Sequence, residues 1–183
     1  MKKNFEIEIR WRAFPLHPDT PEEGLTLEEL FRGRNIDISQ MLSRLKQVAD
    51  ELGLPWGERK KTCNSRLAQE LGKWAESKGQ GDKFHDAVFR AYFVAGKNIG
   101  KMDVGLSLAK SVGLPEEEAK EVLQSRAFRK AVDEDWSLSY RMGITAVPTF
   151  VIDGQAVVGA QPYEVLEKFL KECRVLRRDR SRL

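Results

Sequence analysis

The stretch Gly143-Ile-Thr-Ala-Val-Pro-Thr-Phe-Val-Ile-Asp-Gly154 places the tightest limits on what this chain can fold into. A glycine ends the helix before it. Pro148 then opens a β-branched and aromatic run over Thr149–Ile152, and Asp153-Gly154 is a two-residue hairpin signal. Val157-Val158 supplies a second short strand. Pro148 stands at the edge of the strand, where its missing N–H costs least, and it pushes Val147 toward an extended conformation. A proline here can adopt a cis bond, which would leave the backbone groups before it facing outward for a ligand.

Upstream of this stretch, Phe5 to Ala13 alternates strictly. Phe5, Ile7, Ile9, Trp11 and Ala13 fall on one face and Glu6, Glu8, Arg10 and Arg12 on the other, the pattern of a strand with one wetter side. Pro15 ends it, and His17–Gly24 reads as a loop. Thr26-Leu-Glu-Glu29 is a capping box opening a short helix that Gly33 stops. A longer helix runs from about Asp37 to Leu52, with Ile38, Met41, Leu42, Leu45, Val48, Ala49 and Leu52 on one face. Trp56 to Lys61 reads as a loop. From Asn64, a plausible N-cap, the pattern is helical with breaks at Gly79, Gly96 and Gly113, and Pro115 starts a further helix at its first turn. The last of the set ends at Gly143. After the hairpin, Val165, Leu166, Phe169 and Leu170 form the buried stripe of a closing helix.

Thr145-Ala-Val-Pro-Thr-Phe-Val-Ile152, followed by Val158-Gly-Ala-Gln-Pro162 and an amphipathic helix, resembles the C-terminal half of the DsbA family of thioredoxin-fold proteins, above all its FrnE-type branch. The resemblance runs back through Asn64-Ser-Arg-Leu-Ala68 and covers nearly the whole chain. It implies an α/β (α+β) fold, a thioredoxin-like sheet formed by residues 1–61 and 127–183 with a helical insertion over 62–126. It also implies that Ala146, Val147 and Pro148 dock a protein or peptide dithiol substrate as an added strand. The family's redox motif, two cysteines separated by two residues, follows a first strand that would precede Phe5. The sequence holds no such motif, so no catalytic residue and no cofactor are assigned, and the expectation is an inactive or truncated form whose motif an upstream coding sequence would restore.

That first strand is central in the family's sheet. If Phe5–Ala13 is the second strand, its inner edge lacks a neighbour, at roughly 1–3 kcal/mol for each unpaired group. The expectation is therefore that the gap is closed. Either Phe5–Ala13 pairs directly with Thr149–Ile152, or another chain supplies a strand in a homodimer. Two rival readings share the fold: a glutathione-dependent isomerase or transferase, and a non-catalytic peptide-binding module.

Cys63 lies just before a helix start, where the dipole with Lys60 and Lys61 would lower its pKa and make it a possible reactive thiol. A redox cycle needs a resolving thiol, and Cys173 is the other cysteine. Inert thiols, a catalytic Cys63 and a Cys63–Cys173 disulfide all remain open. His17 and His85 sit in unlike contexts, and no Cys/His/Asp/Glu spacing suggests a metal. The acidic runs Asp133-Glu-Asp135 and Glu116-Glu-Glu118 read as solvated helix surface.

The segment Arg174–Leu183 holds five of the chain's 31 basic residues and one of its 28 acidic ones, so the remainder is close to neutral. The tail reads as a solvated terminus, and nucleic-acid and membrane partners are not expected. Met1-Lys2-Lys3 is followed by no apolar run, so neither a signal peptide nor a spanning helix is expected, and the expected compartment is the cytoplasm.

Overall fold

Four helices carry the interior, each formed where apolar residues recur every three or four positions. In the computed structural model, which describes residues 1–178, they are α3 (Arg66–Ser77), α4 (Gly81–Phe89), α5 (Met102–Ser111) and α6 (Glu116–Ser125). Leu71, Trp74, Ala75, Phe84, Ala109, Leu114, Ala119 and Leu123 form one buried cluster among them. Pro115 is the N-cap of α6 rather than its first helical residue, with three glutamates in the turn that follows. α4 continues into a π-helical turn over Arg90–Val94, where Phe93 stacks on Trp56 and the Arg59 guanidinium lies over the Tyr92 ring.

The same unit, His17–Asp133, contains the shorter elements before α3. α1 (Leu27–Leu30) begins at a complete capping box, Glu29 N–H donating to the Thr26 hydroxyl and Thr26 N–H to the Glu29 carboxylate. Two strands flank it in sequence: β1 (Leu25–Thr26) pairs antiparallel with β2 (Lys61–Thr62), Leu25 opposite Thr62. The end of the stretch read as a loop over Trp56–Lys61 is therefore a strand start. Two residues are too short for alternation to reveal, and the partner is distant in sequence. α2 (Ile38–Glu51) is capped by Asp37, but of its apolar stripe only Ala49 is buried, and Leu45, Val48 and the following Leu52 are exposed. Periodicity marks which face would be buried, not what covers it.

The second unit joins Met1–Leu16 to the chain from Glu134 onward. α7 (Arg129–Arg141) ends at Gly143, whose φ of +66° suits a residue without a Cβ. β3 (Thr149–Ile152) and β4 (Gln155–Val158) form the expected hairpin, Thr149 opposite Val158 and Ile152 opposite Gln155. Asp153 and Gly154 both have positive φ, the requirement of a type I′ turn. α8 (Tyr163–Glu172) buries Phe169 and Leu170, whereas Val165, expected in the same stripe, is 39% exposed.

Phe5–Ala13 is not a strand. Among the described residues it makes one antiparallel bridge, Phe5 with Arg177, flanked by Glu6 N–H to the Leu176 carbonyl at 2.9 Å and Arg178 N–H to the Asn4 carbonyl at 3.0 Å. The expected direct pairing with Thr149–Ile152 is absent, and among the described residues β3 pairs with β4 alone. Alternation specifies two faces but does not name the neighbour that satisfies the edge. The basic tail falls partly on residues 179–183, outside the described residues.

Candidate functional site

The segment between α7 and β3 is held at both ends and open in the middle. Gly143 N–H donates to the Tyr140 carbonyl and Ile144 N–H to the Ser139 carbonyl, closing the helix. At the strand end, the Thr149 hydroxyl donates to the Ala146 carbonyl at 2.7 Å and Gly159 N–H to the Pro148 carbonyl at 2.7 Å. Thr145 through Pro148 are exposed, and the Val147–Pro148 peptide bond is cis. Among the described residues the Val147 N–H and C=O have no hydrogen-bond partner, and its side chain is on the surface at 45% exposure. Ala146, Val147 and Pro148 thus present one free donor–acceptor pair beside a β-edge, which an extended peptide can pair with.

Cys63 lies in the other unit, between β2 and α3, half-buried against Ala68, Ala91 and Ile99. Burial pushes its thiol pKa up, outweighing the hydrogen bond at the Ile99 backbone and the charges of Arg59 and Lys61. The expected depression by the helix terminus and lysines is therefore reversed, because the thiol sits in an apolar contact ahead of the helix. Cys173 is also a free thiol, 3.8 Å from the Gln155 Oε1, so the Cys63–Cys173 disulfide is absent.

Asn64 works locally. Its Oδ1 accepts from Arg66 N–H at 2.9 Å and its amide donates to the Thr20 carbonyl at 2.7 Å, while Ser65 occupies the N-cap position expected for Asn64. Arg66 leads to a cluster the sequence reading missed. Glu70 is fully buried and receives Arg66 Nε at 2.7 Å and a bidentate pair from Arg126, Nε at 2.8 Å and Nη2 at 2.6 Å. Arg66 also reaches Asp133 at 2.7 Å. Burial by itself would raise the Glu70 pKa, but the two guanidinium groups hold it below the ordinary carboxylate range. The only local signal was the four-residue spacing of Arg66 and Glu70; Arg126 is too far along the chain to be paired by inspection.

Asp135, read as solvated, is 3% exposed. It accepts Arg12 Nη1 at 2.9 Å and Ala13 N–H at 2.9 Å, tying the N-terminal segment to α7. A charge run on a helix does not reveal which member turns inward. His85 places Nε2 3.0 Å from Glu76 Oε1 and packs on Gly72. His17 is pushed toward the neutral form by burial and by Arg34 and Arg59. Among the described residues no group of three or more His, Cys, Asp and Glu side chains is placed to hold a metal ion, and no helix is long and apolar enough to cross a membrane.

Comparison with known proteins adds a family to this geometry. A model of the DSBA-like thioredoxin domain matches residues 1–171. The YwbO protein of Bacillus subtilis is 27% identical over 173 residues, covering 93% of this chain and 84% of YwbO. The crystal structure of the probable DsbA oxidoreductase SCO1869 from Streptomyces coelicolor superimposes with a TM-score of 0.81 at 26% identity, over 89% of this chain and 74% of that one. A 2-hydroxychromene-2-carboxylate isomerase shares the fold, with a TM-score of 0.67 at 19% identity over 75% of this chain and 68% of the isomerase.

Proposed function

The chain belongs to the DSBA-like thioredoxin domain family, with a thioredoxin-like α/β fold, and on that premise we propose that it docks an extended peptide or protein thiol substrate at Ala146-Val147-Pro148. The observation that carries the reading is the open backbone of Val147, a donor and an acceptor free of internal partners beside the β3–β4 hairpin. Main-chain pairing there tolerates many sequences, which suits a protein acting on thiols in varied surroundings. The family's dithiol chemistry needs a nucleophilic thiolate and a second thiol to resolve the mixed disulfide. Within these 183 residues no two cysteines are separated by two residues, and the Cys63 thiol is pushed toward its unreactive protonated form. This polypeptide therefore binds such substrates as a FrnE-like, cytoplasmic member of the family without turning over dithiols itself.

The test pairs two assays. Binding of a fluorescent, extended, cysteine-containing peptide should be measurable by anisotropy and should weaken on the order of tenfold in Val147→Asp, which sets a charge beside the docking backbone. Insulin reduction by the same polypeptide with dithiothreitol should run at the uncatalysed rate. Robust turnover would refute the absence of chemistry, and peptide affinity indifferent to Val147 would refute the docking position.

A further inference from the structure

Arg177 and Arg178 belong to a stretch that the sequence marks only as basic, yet the structure gives each a definite seat. Arg177 bridges to Phe5, and its guanidinium lies over the buried Phe5 ring, 5.5 Å from the centroid. Its Nη2 donates to Glu167 Oε1. Arg178 donates its backbone N–H to the Asn4 carbonyl at 3.0 Å and its Nε to the Phe5 carbonyl at 3.1 Å. Tyr163, the first residue of α8, is held as well, its hydroxyl accepting the Asn4 side-chain amide at 2.6 Å.

Asn4, Tyr163, Arg177 and Arg178 line a cavity of about 450 Å³, all four within one unit. Each contact that fixes a side chain leaves other groups on it unused. Among the described residues both Nη groups of Arg178 have no partner, nor have Nε and Nη1 of Arg177, and the Tyr163 hydroxyl proton has no acceptor. The charges do not balance either. Glu167 takes Lys171 Nζ at 2.9 Å as well as Arg177, so one carboxylate answers two cations, and Arg178 has no counter-ion among the described residues. Side chains already held in place lose little freedom when they bind. Donors and positive charge gathered on a cavity wall without a matching acid suit an anion.

We propose that this cavity binds a small-molecule phosphate monoester, its phosphate held by the guanidinium groups of Arg177 and Arg178 and by the Tyr163 hydroxyl. Donors from three side chains match the three terminal oxygens of a phosphate better than the two coplanar oxygens of a carboxylate. The surplus positive charge matches a group that carries close to two negative charges at neutral pH. The cavity is in the size range of sites for whole small molecules, more than a bare phosphate ion fills, so the organic part of the ester has room beside it.

Titration of the isotope-labelled full chain with phenyl phosphate in chloride buffer, followed by backbone-amide NMR, tests it. The shifts should saturate and be largest at Tyr163, Arg177 and Arg178. Arg178→Gln should weaken binding about tenfold and Tyr163→Phe about fivefold, with circular dichroism confirming each variant folded. Arg32→Gln removes an exposed positive charge in the other unit and should change the affinity by less than about twofold. Inorganic phosphate should bind at least about threefold more weakly than the ester, because nothing then covers the rest of the cavity. Absence of saturation overturns the proposal, as do shifts centred elsewhere or equal losses in Arg32→Gln and Arg178→Gln. Inorganic phosphate binding as tightly as the ester also overturns it, assigning the cavity to the free ion. Should Arg178→Gln not fold, the wild-type shift map and Tyr163→Phe decide. Val147 enters none of these measurements, so peptide docking stands or falls separately.

Discussion

The two units of this protein bury their apolar residues in opposite measure. His17–Asp133 holds fourteen of the buried hydrophobic residues among those described, while the unit joining Met1–Leu16 to the chain beyond Glu134 holds three, Phe5, Phe169 and Leu170. In the first, α3 to α6 close on one another within sixty residues, so each amphipathic stripe meets a neighbour close in sequence. In the second, no residue of the β3–β4 hairpin is fully buried, and Phe150 and Val158 are exposed. A two-stranded hairpin is marginal by itself and needs further strands or a packed helix. The unit with the finished core owes least to anything outside it. The unit that carries the exposed Val147 backbone is the one with apolar surface still uncovered at Phe150 and Val158.

The sharpest way to break the contrast is to open the finished core. Phe84→Ala should cost about 3–5 kcal/mol by urea unfolding, since Phe84 is fully enclosed by α3–α6. A cost below about 1 kcal/mol would mean that core is looser than its burial suggests. Next is Glu70→Gln, which leaves Arg66 and Arg126 facing a neutral group in the same unit, with an expected loss of about 3 kcal/mol. Its pH dependence has a definite sign. Because the folded pKa is depressed, the Glu70 contribution is complete above the unfolded carboxylate value of about 4.3 and is lost as pH falls through the lower folded value. Urea midpoints should therefore drop less steeply with acid in Glu70→Gln than in the wild type.

Asp135→Ala addresses the open unit. It removes the acceptor for Arg12 and the Ala13 N–H, and about 2 kcal/mol of protection should disappear. Hydrogen exchange should locate that loss in β3, β4 and α8, with α4 and α5 unchanged. Equal loss in α4 and α5 would show that the units unfold together and would erase the contrast. The smallest effect is expected at Asp37, whose carboxylate accepts Gln40 N–H at 2.9 Å to cap α2. Asp37→Ala should cost about 1 kcal/mol, read as faster exchange confined to α2.

Much of the architecture was legible from neighbouring residues. The capping box at Thr26–Glu29, the stop at Gly143 and the Asp153-Gly154 turn all form as read, because each depends on hydrogen bonds and dihedral preferences spanning a few positions. The segment Ala146–Pro148 is singled out in the sequence by the family resemblance around Pro148 rather than by such local preferences. Misreadings arose where a long-range partner decides the outcome. Asp135 reads in the sequence as a solvated acid, yet it is buried and accepts Arg12, more than a hundred residues away. For Cys63 the helix start and the neighbouring lysines favour a lowered pKa, one of three readings left open, but Ala68, Ala91 and Ile99 supply an apolar surrounding that reverses the direction. Leu52 and Val165 lie on stripes that periodicity marks as inward, yet among the described residues both stay exposed.

Sequence alone settled the local grammar of this protein: which segments coil, where they stop, where the hairpin turns, and which family the 145–162 stretch belongs with. Only the folded chain decided which charges go inside, how Glu70 is compensated by Arg126 across 56 positions, and that Phe5–Ala13 joins Arg177 rather than Thr149–Ile152. The reason is one of range. Backbone preferences and caps act over three or four residues, whereas burial and ladder pairing are set by whichever surface arrives from elsewhere, and no residue carries that information by itself.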